Sequence, residues 1–306
     1  MSILFTSNFQ WVLFSTLLLG MAAGLIGCLA HWKRQSLMSD ALSHASLPGV
    51  VIGFMIFQEK NFFVLIVGAG ISALLGAFLI QLIKSASRIT EDTAMGLILA
   101  VFFGGGIVLL TMVNRGGNGN QAGLDSFIFG QAASMVGEDV MLMSILALIV
   151  ILIIFIGFKE WKLFLFDPDF AKGLKLSIKG MNVLYLSILV LTIVIGIQAV
   201  GVILMSALII IPPVSARYWT HSFKTMMWLS ALFGGSAGAI GTTISSFGSG
   251  WPTGPFIVVT SAFIFLISLF FGRKKGIVIE YFMLRNKKKA IYQELATPTI
   301  VREGKQ

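Results

Sequence analysis

The chain alternates between long apolar runs and short polar segments, and the length of the runs indicates its architecture. A helix that crosses a bilayer needs about 20 mostly apolar residues, and the sequence offers nine stretches near that length. They cover residues 11–30, 37–57, 62–83, 93–113 and 140–158, then two within 181–216 and two within 225–272. The pattern predicts an all-α polytopic membrane protein with about nine transmembrane helices, and eight or ten would also fit.

The two longest charge-free runs must each contain a break. Residues 181–216 number 36 and residues 225–272 number 48, and either is too long for a single span. We expect the first run to break near residues 196–201, between two glycines. The second is expected to break at residues 246–255, where glycine, serine and proline cluster as they do in turns.

Glycines recur at positions where two membrane helices would touch. Small residues four apart allow two backbones to approach closely inside a bilayer. Such pairs are Gly20 and Gly24, Gly49 and Gly53, and Gly234 and Gly238, and a further run lies at Gly104, Gly105 and Gly106. With 33 glycines in all, the sequence predicts a tightly packed helix bundle.

Basic residues are distributed unevenly between alternate polar segments. With the C-terminal tail placed in the cytoplasm, 20 of the 22 Lys and Arg fall in inside segments, and only Lys60 and Arg115 fall outside. Cytoplasmic loops carry such an excess. We therefore expect the N-terminus outside, a transmembrane domain over residues 1–272 and a basic cytoplasmic tail over residues 273–306.

Composition supports this class of protein and excludes others. Hydrophobic residues make up 57% and charged residues 11%, with a mean hydropathy of +0.93, whereas average soluble domains carry about 25% charged residues. A soluble enzyme and a disordered chain are both excluded. The single cysteine, Cys28, excludes a disulfide framework or a thiolate cluster. The net charge of +9 is explained by the inside loops rather than by a nucleic-acid partner.

Asp40 and His44 are the main candidates for chemistry within the membrane. A charged residue deep in a bilayer costs roughly 2.5–3.5 kcal/mol on insertion scales, and residues four apart share one helix face. Carboxylate and imidazole together suit manganese or zinc, with the hydroxyls of Ser39 and Ser43 nearby. Two ligands are too few for a closed site, but two copies from facing subunits would give four. A proton relay or a structural hydrogen-bonded pair remains an alternative.

Prolines mark two further features of the spans. Pro48 cannot bond to the carbonyl of His44, and the Pro212–Pro213 pair frees two carbonyls in the seventh span. Such helix breaks are tolerated where they line a cavity or pack on protein. A gating hinge and a static kink fit these residues equally well.

The segment at residues 159–180 predicts a short helix on the cytoplasmic side. Asp167 is a good N-cap, Pro168 suits the first helical position, and Gly173 or Gly180 could end the helix. Phe164, Phe166, Phe170 and Leu174 are left needing a surface to pack on. Docking to a protein partner is the favoured interpretation, and binding to lipid headgroups through five lysines is the alternative.

The chain contains no Gly-x-x-x-x-Gly-Lys-[Ser/Thr] sequence. It cannot hydrolyse ATP through a P-loop by itself, so ATP-driven function would need a separate motor subunit.

Several blocks resemble one family in order along the chain. SDALSHASLPG at residues 39–49 resembles the signature of metal-type ABC importer permeases, the membrane subunits of manganese, zinc and iron uptake systems. EDTAMG at 91–96, FDPDFA at 166–171, the Pro212–Pro213 segment that ends at Arg217, and PTGPFIVV at 252–259 are similar to further family blocks. NGNQAGLDSFIFG at 118–130 resembles the manganese branch.

The resemblance implies a complex of several subunits. It implies a second permease (a homodimer or a heterodimer), two cytoplasmic ATPase subunits and an external, lipid-anchored metal-binding protein. Asp40 and His44 would line the metal path, and the segment from Phe166 through Ala171 to Gly173 would couple to the ATPase. Metal would be the cargo rather than a resident cofactor, in a bacterial cell membrane. An ion-coupled secondary transporter and an intramembrane enzyme are rival functions, but the sequence shows no internal repeat and no second catalytic constellation.

Overall fold

The fold is a bundle of α-helices throughout the part of the chain that the structure, a computed structural model, describes: residues 7–57, 62–115, 137–248, 251–274 and 276–279. The helices are α1 (Ser7–Trp32), α2 (Ser36–Phe57), α3 (Phe62–Ala86), α4 (Glu91–Arg115), α5 (Gly137–Ile156), α6 (Phe158–Phe166), α7 (Pro168–Gly173), α8 (Ile178–Val200), α9 (Val202–Trp219), α10 (Phe223–Ser245) and α11 (Thr253–Phe271). Residues 118–130, Lys60 and most of the basic tail lie outside the described residues.

A helix stands at each of the nine predicted stretches, and seven are long and apolar enough to cross a membrane by length and composition. These seven are α1, α2, α3, α4, α5, α8 and α11. The helix α9 contains a shorter apolar segment, Leu204–Trp219, and the composition of α10 is diluted by glycine, serine and threonine. The all-helical polytopic fold is thus confirmed, while the count of nine crossings and the orientation stay predictions.

The two predicted breaks are present in the structure. Gly201 separates α8 from α9 and has a φ of 95°, a conformation that glycine adopts without steric cost. In the second run, α10 ends at Ser245 and α11 begins at Thr253. Each long charge-free stretch is therefore divided into two helices where the turn-forming residues lie.

The glycine pairs hold the inner helices together. A Cβ on Gly20 would lie 2.1 Å from the carbonyl oxygen of Gly234, and one on Gly24 would lie 2.2 Å from that of Ser230, so α1 and α10 touch backbone to backbone. In the same way a Cβ on Gly49 of α2 would lie 2.0 Å from the carbonyl oxygen of Gly68 in α3. The predicted packing role of these pairs is confirmed.

The run at Gly104–Gly106 behaves differently from the expectation. Among the described residues, only Gly106 of this run meets a neighbour, the side chain of Leu47, whereas a Cβ on Gly104 or Gly105 would meet nothing within 4 Å. These two glycines lie on the open side of α4, where Val101 and Val108 are also exposed. The helices α1, α2 and α8 are mostly buried, and α3, α4, α5 and α11 present apolar surface outwards.

Candidate metal path and coupling surface

Asp40 and His44 lie together on α2, as their spacing predicted. The Nε2 atom of His44 is 3.7 Å from Oδ1 of Asp40, and the two side chains are 14% and 36% exposed, respectively. The imidazole ring packs edge-on against Phe103 of α4, with 4.7 Å between ring centroids. The Nδ1 atom of His44 is buried and has no hydrogen-bond partner among the described residues. A buried imidazole nitrogen with no partner is unusual.

The neighbouring serines do not extend this pair into a larger polar site. Ser39 and Ser43 are fully buried. Their hydroxyls donate to backbone carbonyls one turn earlier, that of Ser43 to Ser39 at 2.7 Å. Both therefore face the interior of the bundle, away from the partly exposed carboxylate of Asp40. The expectation that these hydroxyls contribute beside the pair is not met by this geometry.

Asp40 and His44 offer two possible metal-binding groups, and the described residues do not enlarge the set. Among the described residues, no three His, Cys, Asp or Glu side chains are grouped so that they could hold a metal ion. The exposed face continues along α2 from Asp40 and His44 through Pro48 and Ile52 to Ile56, one residue per turn. This stripe is the outer face of a single subunit.

The prolines bend or pack helices without interrupting them. Pro48 lies inside α2 and lines an apolar groove of about 560 Å³ between α2 and α3. Pro212 and Pro213 lie inside α9. Since Pro213 has no N–H, the carbonyl of Ile209 is freed, and it lies against Gly27 of α1, where a Cβ would be 2.0 Å from the oxygen. The structure places that carbonyl in a helix contact rather than in a cavity.

The predicted short helix is present as α7, and its start is capped as expected. The carboxylate of Asp167 accepts a hydrogen bond from the backbone N–H of Phe170 at 3.0 Å, and Pro168 is the first helical residue. The exposed carboxyl of Asp169 has its pKa held below the usual value by its hydrogen bond and ion pair with Lys172 at 2.9 Å.

The helix ends at Gly173, one of the two glycines expected to end it. Gly180 lies instead within the first turn of α8, where its N–H donates to Ser177 at 3.1 Å. The turn is made by Lys175, at a φ of 61°, and the N–H of Leu176 bonds to the carbonyl of Ala171. This is a Schellman ending with a lysine in the left-handed position. The left-handed conformation costs an L-residue about 1–2 kcal/mol, and sequence gave no reason to expect it here.

The aromatic residues near α7 divide into buried and exposed sets. Phe164 is buried and Ala171 is fully buried, so both serve internal packing. Phe166, Phe170 and Leu174 are each about half exposed or more. Phe170 and Leu174 are exposed, whereas Phe166 also packs edge-on against Trp32 and Phe223. That a partner docks on this face stays a prediction.

Sequence reasoning missed a set of polar residues, here called the polar cluster: Lys33, Gln35, Lys84, Glu91 and Asn182. Glu91 accepts hydrogen bonds from the side chains of Gln35 and Lys84, and Lys33 donates to Asn182. The cluster lines a cavity of about 490 Å³ where the ends of five segments meet. Glu91 stands in the first turn of α4. Its partners lie too far away in sequence for any spacing rule to reveal them.

A bundle of apolar helices with an intramembrane carboxylate–imidazole pair and a capped amphipathic helix outside the spans defines a polytopic membrane transport subunit. Comparison with known proteins identifies its family. The chain belongs to the ABC 3 transport family, whose model matches residues 6–272. It is a multi-pass permease subunit of a bacterial-type ABC transporter and is not itself the ATPase. The family resemblance drawn from the sequence blocks is confirmed.

The relatives cover nearly all of this chain. It is 41% identical over 287 residues to the manganese transport system membrane protein MntC of Bacillus subtilis, an alignment that covers 94% of this chain and 66% of that protein. It is 39% identical over 285 residues to the zinc transport system membrane protein TroC of Treponema pallidum, covering 93% and 95% of the two chains. The solved structure of PsaBC from Streptococcus pneumoniae in complex with Fab matches with a TM-score of 0.79 and 31% identity, covering 93% and 98%.

Proposed function

We propose that the chain forms the membrane path of an ATP-driven importer of divalent transition metal ions, most of all manganese. The observation that carries this proposal is the Asp40–His44 pair. It combines a partly exposed carboxylate with an imidazole whose Nδ1 atom is buried and unpartnered. Similarity to the named manganese and zinc transport proteins of Bacillus and Treponema supports the same class of cargo.

A second permease subunit completes the site in this proposal. The carboxylate of Asp40 is 36% exposed on the outer face of one subunit, where lipid would impose a cost of several kcal/mol on a charge. A partner subunit that covers this face removes the carboxylate from lipid and brings a second pair opposite the first. The four ligands are then two carboxylates and two imidazoles. A homodimer supplies two identical pairs, and a heterodimer supplies an equivalent pair from a related chain.

The chemistry of the ligands and the names of the relatives both favour manganese as the cargo. Carboxylate oxygen suits manganese, and imidazole suits zinc more strongly. A mixed set binds either ion with moderate strength, which a path requires because the ion must also leave. The manganese-named relatives and the resemblance of residues 118–130 to the manganese branch favour manganese, and zinc or iron are the alternatives.

The coupling surface is the exposed face of α7 and its flanks. Phe166, Phe170 and Leu174 present apolar area beside the Asp169–Lys172 ion pair. Buried aromatic anchors dominate the energy of protein interfaces, so this face suits a groove on a cytoplasmic ATPase subunit. An external metal-binding lipoprotein would deliver the ion to the opposite side, which the charge asymmetry identifies as the side of the N-terminus.

The test compares metal uptake by variants of the ligand pair. Asp40→Asn keeps the shape of the side chain and removes its charge, and His44→Ala removes the imidazole. We expect either change to reduce uptake of radioactive manganese at least tenfold per assembled complex, since in a symmetric site Asp40→Asn removes both negative charges and His44→Ala removes both imidazoles. Asp92→Asn is the matched control, because Asp92 is exposed at the start of α4.

Two outcomes would contradict the proposal. Uptake near the wild-type level per complex in both ligand variants would remove the pair from the metal path. Uptake that continues without the ATPase subunit and follows an ion gradient would instead indicate a secondary transporter. If the pair were only structural, the variants would lower the amount of folded complex and leave uptake per complex unchanged.

A further inference from the structure

The end of α1 packs against the segment that leads into α7. Trp32, the last residue of α1, packs edge-on against Phe166 with 4.8 Å between ring centroids. The next residue, Lys33, places its Nζ atom 5.0 Å from the ring centroid of Phe164. Phe164 and Phe166 immediately precede Asp167, the N-cap of α7. Trp32 and Lys33 therefore contact Phe166 and Phe164, which lie directly before the surface proposed to dock the ATPase.

Lys33 also fastens this junction to α8. Its ammonium donates a hydrogen bond to the side chain of Asn182 and lies 4.3 Å from the ring centroid of Tyr185. A cation over an aromatic face is attracted to it, more strongly where water is excluded. Tyr185 is fully buried. One ammonium group thus connects the end of α1, the end of α6 and the body of α8.

The same junction leads into the helix that carries the metal pair. The chain turns at Arg34, with a φ of 59°, and the N–H of Gln35 bonds to the carbonyl of Ala30 at 2.9 Å. The helix α2 begins at Ser36, four residues before Asp40. The side chain of Gln35 donates to Glu91 of α4. A displacement of the junction is therefore passed to the first turn of α2 through a short, hydrogen-bonded turn rather than through a slack loop.

The groups that face Lys33 make its charge conditional on pH. Burial lowers the pKa of Lys33 to about 8, the carboxylate of Glu91 opposes that shift, and Lys84 adds to it. The phenol ring of Tyr185 and the amide of Asn182 face it from α8, and only the apolar ring of Phe164 faces it from α6. Above about pH 8 the amine is neutral and both cation–ring attractions are lost.

We propose that Lys33 is a positioning residue that ties the coupling segment to the helix carrying Asp40 and His44, so that movement imposed on α7 by the ATPase reaches the metal path. The proposal rests on the proposed function. It assigns the transmission to the junction between α1 and α2. Lys33 itself belongs neither to the exposed coupling face nor to the Asp40–His44 pair.

The experiment uses the assembled complex reconstituted in vesicles and measures manganese imported per ATP hydrolysed. Lys33→Met keeps the length and apolar stem of the side chain but removes the charge. We expect ATP hydrolysis to continue and the ratio to fall about fivefold or more, the lower end of a typical coupling between two sites. Lys33→Arg keeps the cation and should restore much of the ratio. Lys179→Met, at an exposed position near the start of α8, is the control and should leave the ratio unchanged.

The import ratio measured as a function of pH is a second test, because a purely structural role of Lys33 would not make this ratio depend on its charge. Because burial lowers the pKa of Lys33 from 10.5 to about 8, charged Lys33 weakens the folded state in full below about pH 8, and this penalty is relieved as the pH rises from about 8 towards 10.5. The stability of the fold therefore does not fall because of Lys33 over the pH range in which its cation–ring contacts are lost. We expect the import ratio of the wild type to fall between pH 7 and 9 relative to that of Lys33→Arg, whose guanidinium stays charged.

The outcomes separate this proposal from the one on which it depends. If the wild-type complex imports neither manganese nor zinc, the proposed function is wrong and this inference falls with it. If the wild type imports metal but Lys33→Met retains the full ratio, or loses only the amount of assembled complex, Lys33 does not transmit the movement. Parallel pH profiles of the wild type and Lys33→Arg would overturn the assignment even where Lys33→Met fails to assemble.

Discussion

The contact between α2 and α3 allows a sharp test of how the helix that carries the metal pair is held. Gly49 and Gly53 lie one turn apart on α2 and both face α3. A Cβ at Gly49 would lie 2.0 Å from the carbonyl oxygen of Gly68 and 2.6 Å from the Cβ atom of Ser72. A Cβ at Gly53 would have its nearest neighbour, the carbonyl oxygen of Val64, at an ordinary 3.4 Å. Gly49→Ala and Gly53→Ala are therefore chemically the same substitution with different steric consequences.

The magnitudes follow from these distances. To restore a 3.4 Å contact, α2 and α3 would have to separate by about 1.4 Å at Gly49, and the obstacle is backbone rather than a flexible side chain. Overpacking of this kind costs about 1–3 kcal/mol, while glycine to alanine in a helix gains about 1 kcal/mol. We expect Gly49→Ala to be destabilised by up to about 2 kcal/mol and Gly53→Ala to be neutral or slightly stabilised.

The displacement also reaches the metal path. Metal–ligand distances must be met to within about 0.2 Å, and His44 lies five residues from Gly49 on the same helix. We expect Gly49→Ala to lower manganese uptake per complex about tenfold, the range found when the support of a metal ligand is removed. Thermal unfolding in detergent and vesicle uptake measure the two effects. Equal stability and equal uptake in the two variants would show that the glycine contact does not hold α2 in position.

Three further predictions concern topology and the coupling segment. Single cysteines at Ser2 and Lys305, in a Cys28→Ser background, should be labelled by an impermeant reagent from opposite sides of the membrane; labelling from the same side would contradict an odd number of spans. Phe170→Ala removes an exposed aromatic from the coupling face and should weaken ATPase binding by roughly 2 kcal/mol or more, about thirtyfold, as anchors at interfaces do; normal assembly and ATPase stimulation would exclude this docking face. Lys175→Gly relieves the left-handed turn after α7 and should slow amide hydrogen exchange in the coupling segment, corresponding to a stabilisation of about 1 kcal/mol; unchanged exchange would mean that the turn carries no strain.

The sequence was informative wherever local rules decide the outcome. Charge-free length predicted the helices, and the glycine at position 201 marked the break between α8 and α9 because a positive φ there suits glycine. The cap of α7 was predictable because Asp167 bonds to a backbone N–H only three residues away. The Asp40–His44 pair was predictable for a similar reason, since residues four apart on a helix always share a face.

The same local reasoning failed where two rules compete or where the answer depends on a neighbour. The helix α7 ends at Gly173, one of the two glycines expected, but the left-handed position of the turn that follows is taken by Lys175, because a Schellman ending stabilised by its own hydrogen bonds outweighs the steric cost for one lysine. Gly104 and Gly105 look like the other packing glycines in sequence. None of the described residues lies against them. Sequence spacing could not show this, because it does not say which face of α4 is covered.

The sequence by itself thus determined that the chain is a multi-pass membrane protein, and it predicts which charged residue lies within a span and which short segment is left for a partner. These follow from hydropathy and helix periodicity, and both act over a few residues. Only the tertiary structure decided that Lys33 meets Phe164 and Asn182, and that Glu91 holds Gln35 and Lys84. These contacts join residues far apart along the chain, and their partners are chosen by how the helices pack, because close approach at the glycines fixes which helix ends meet.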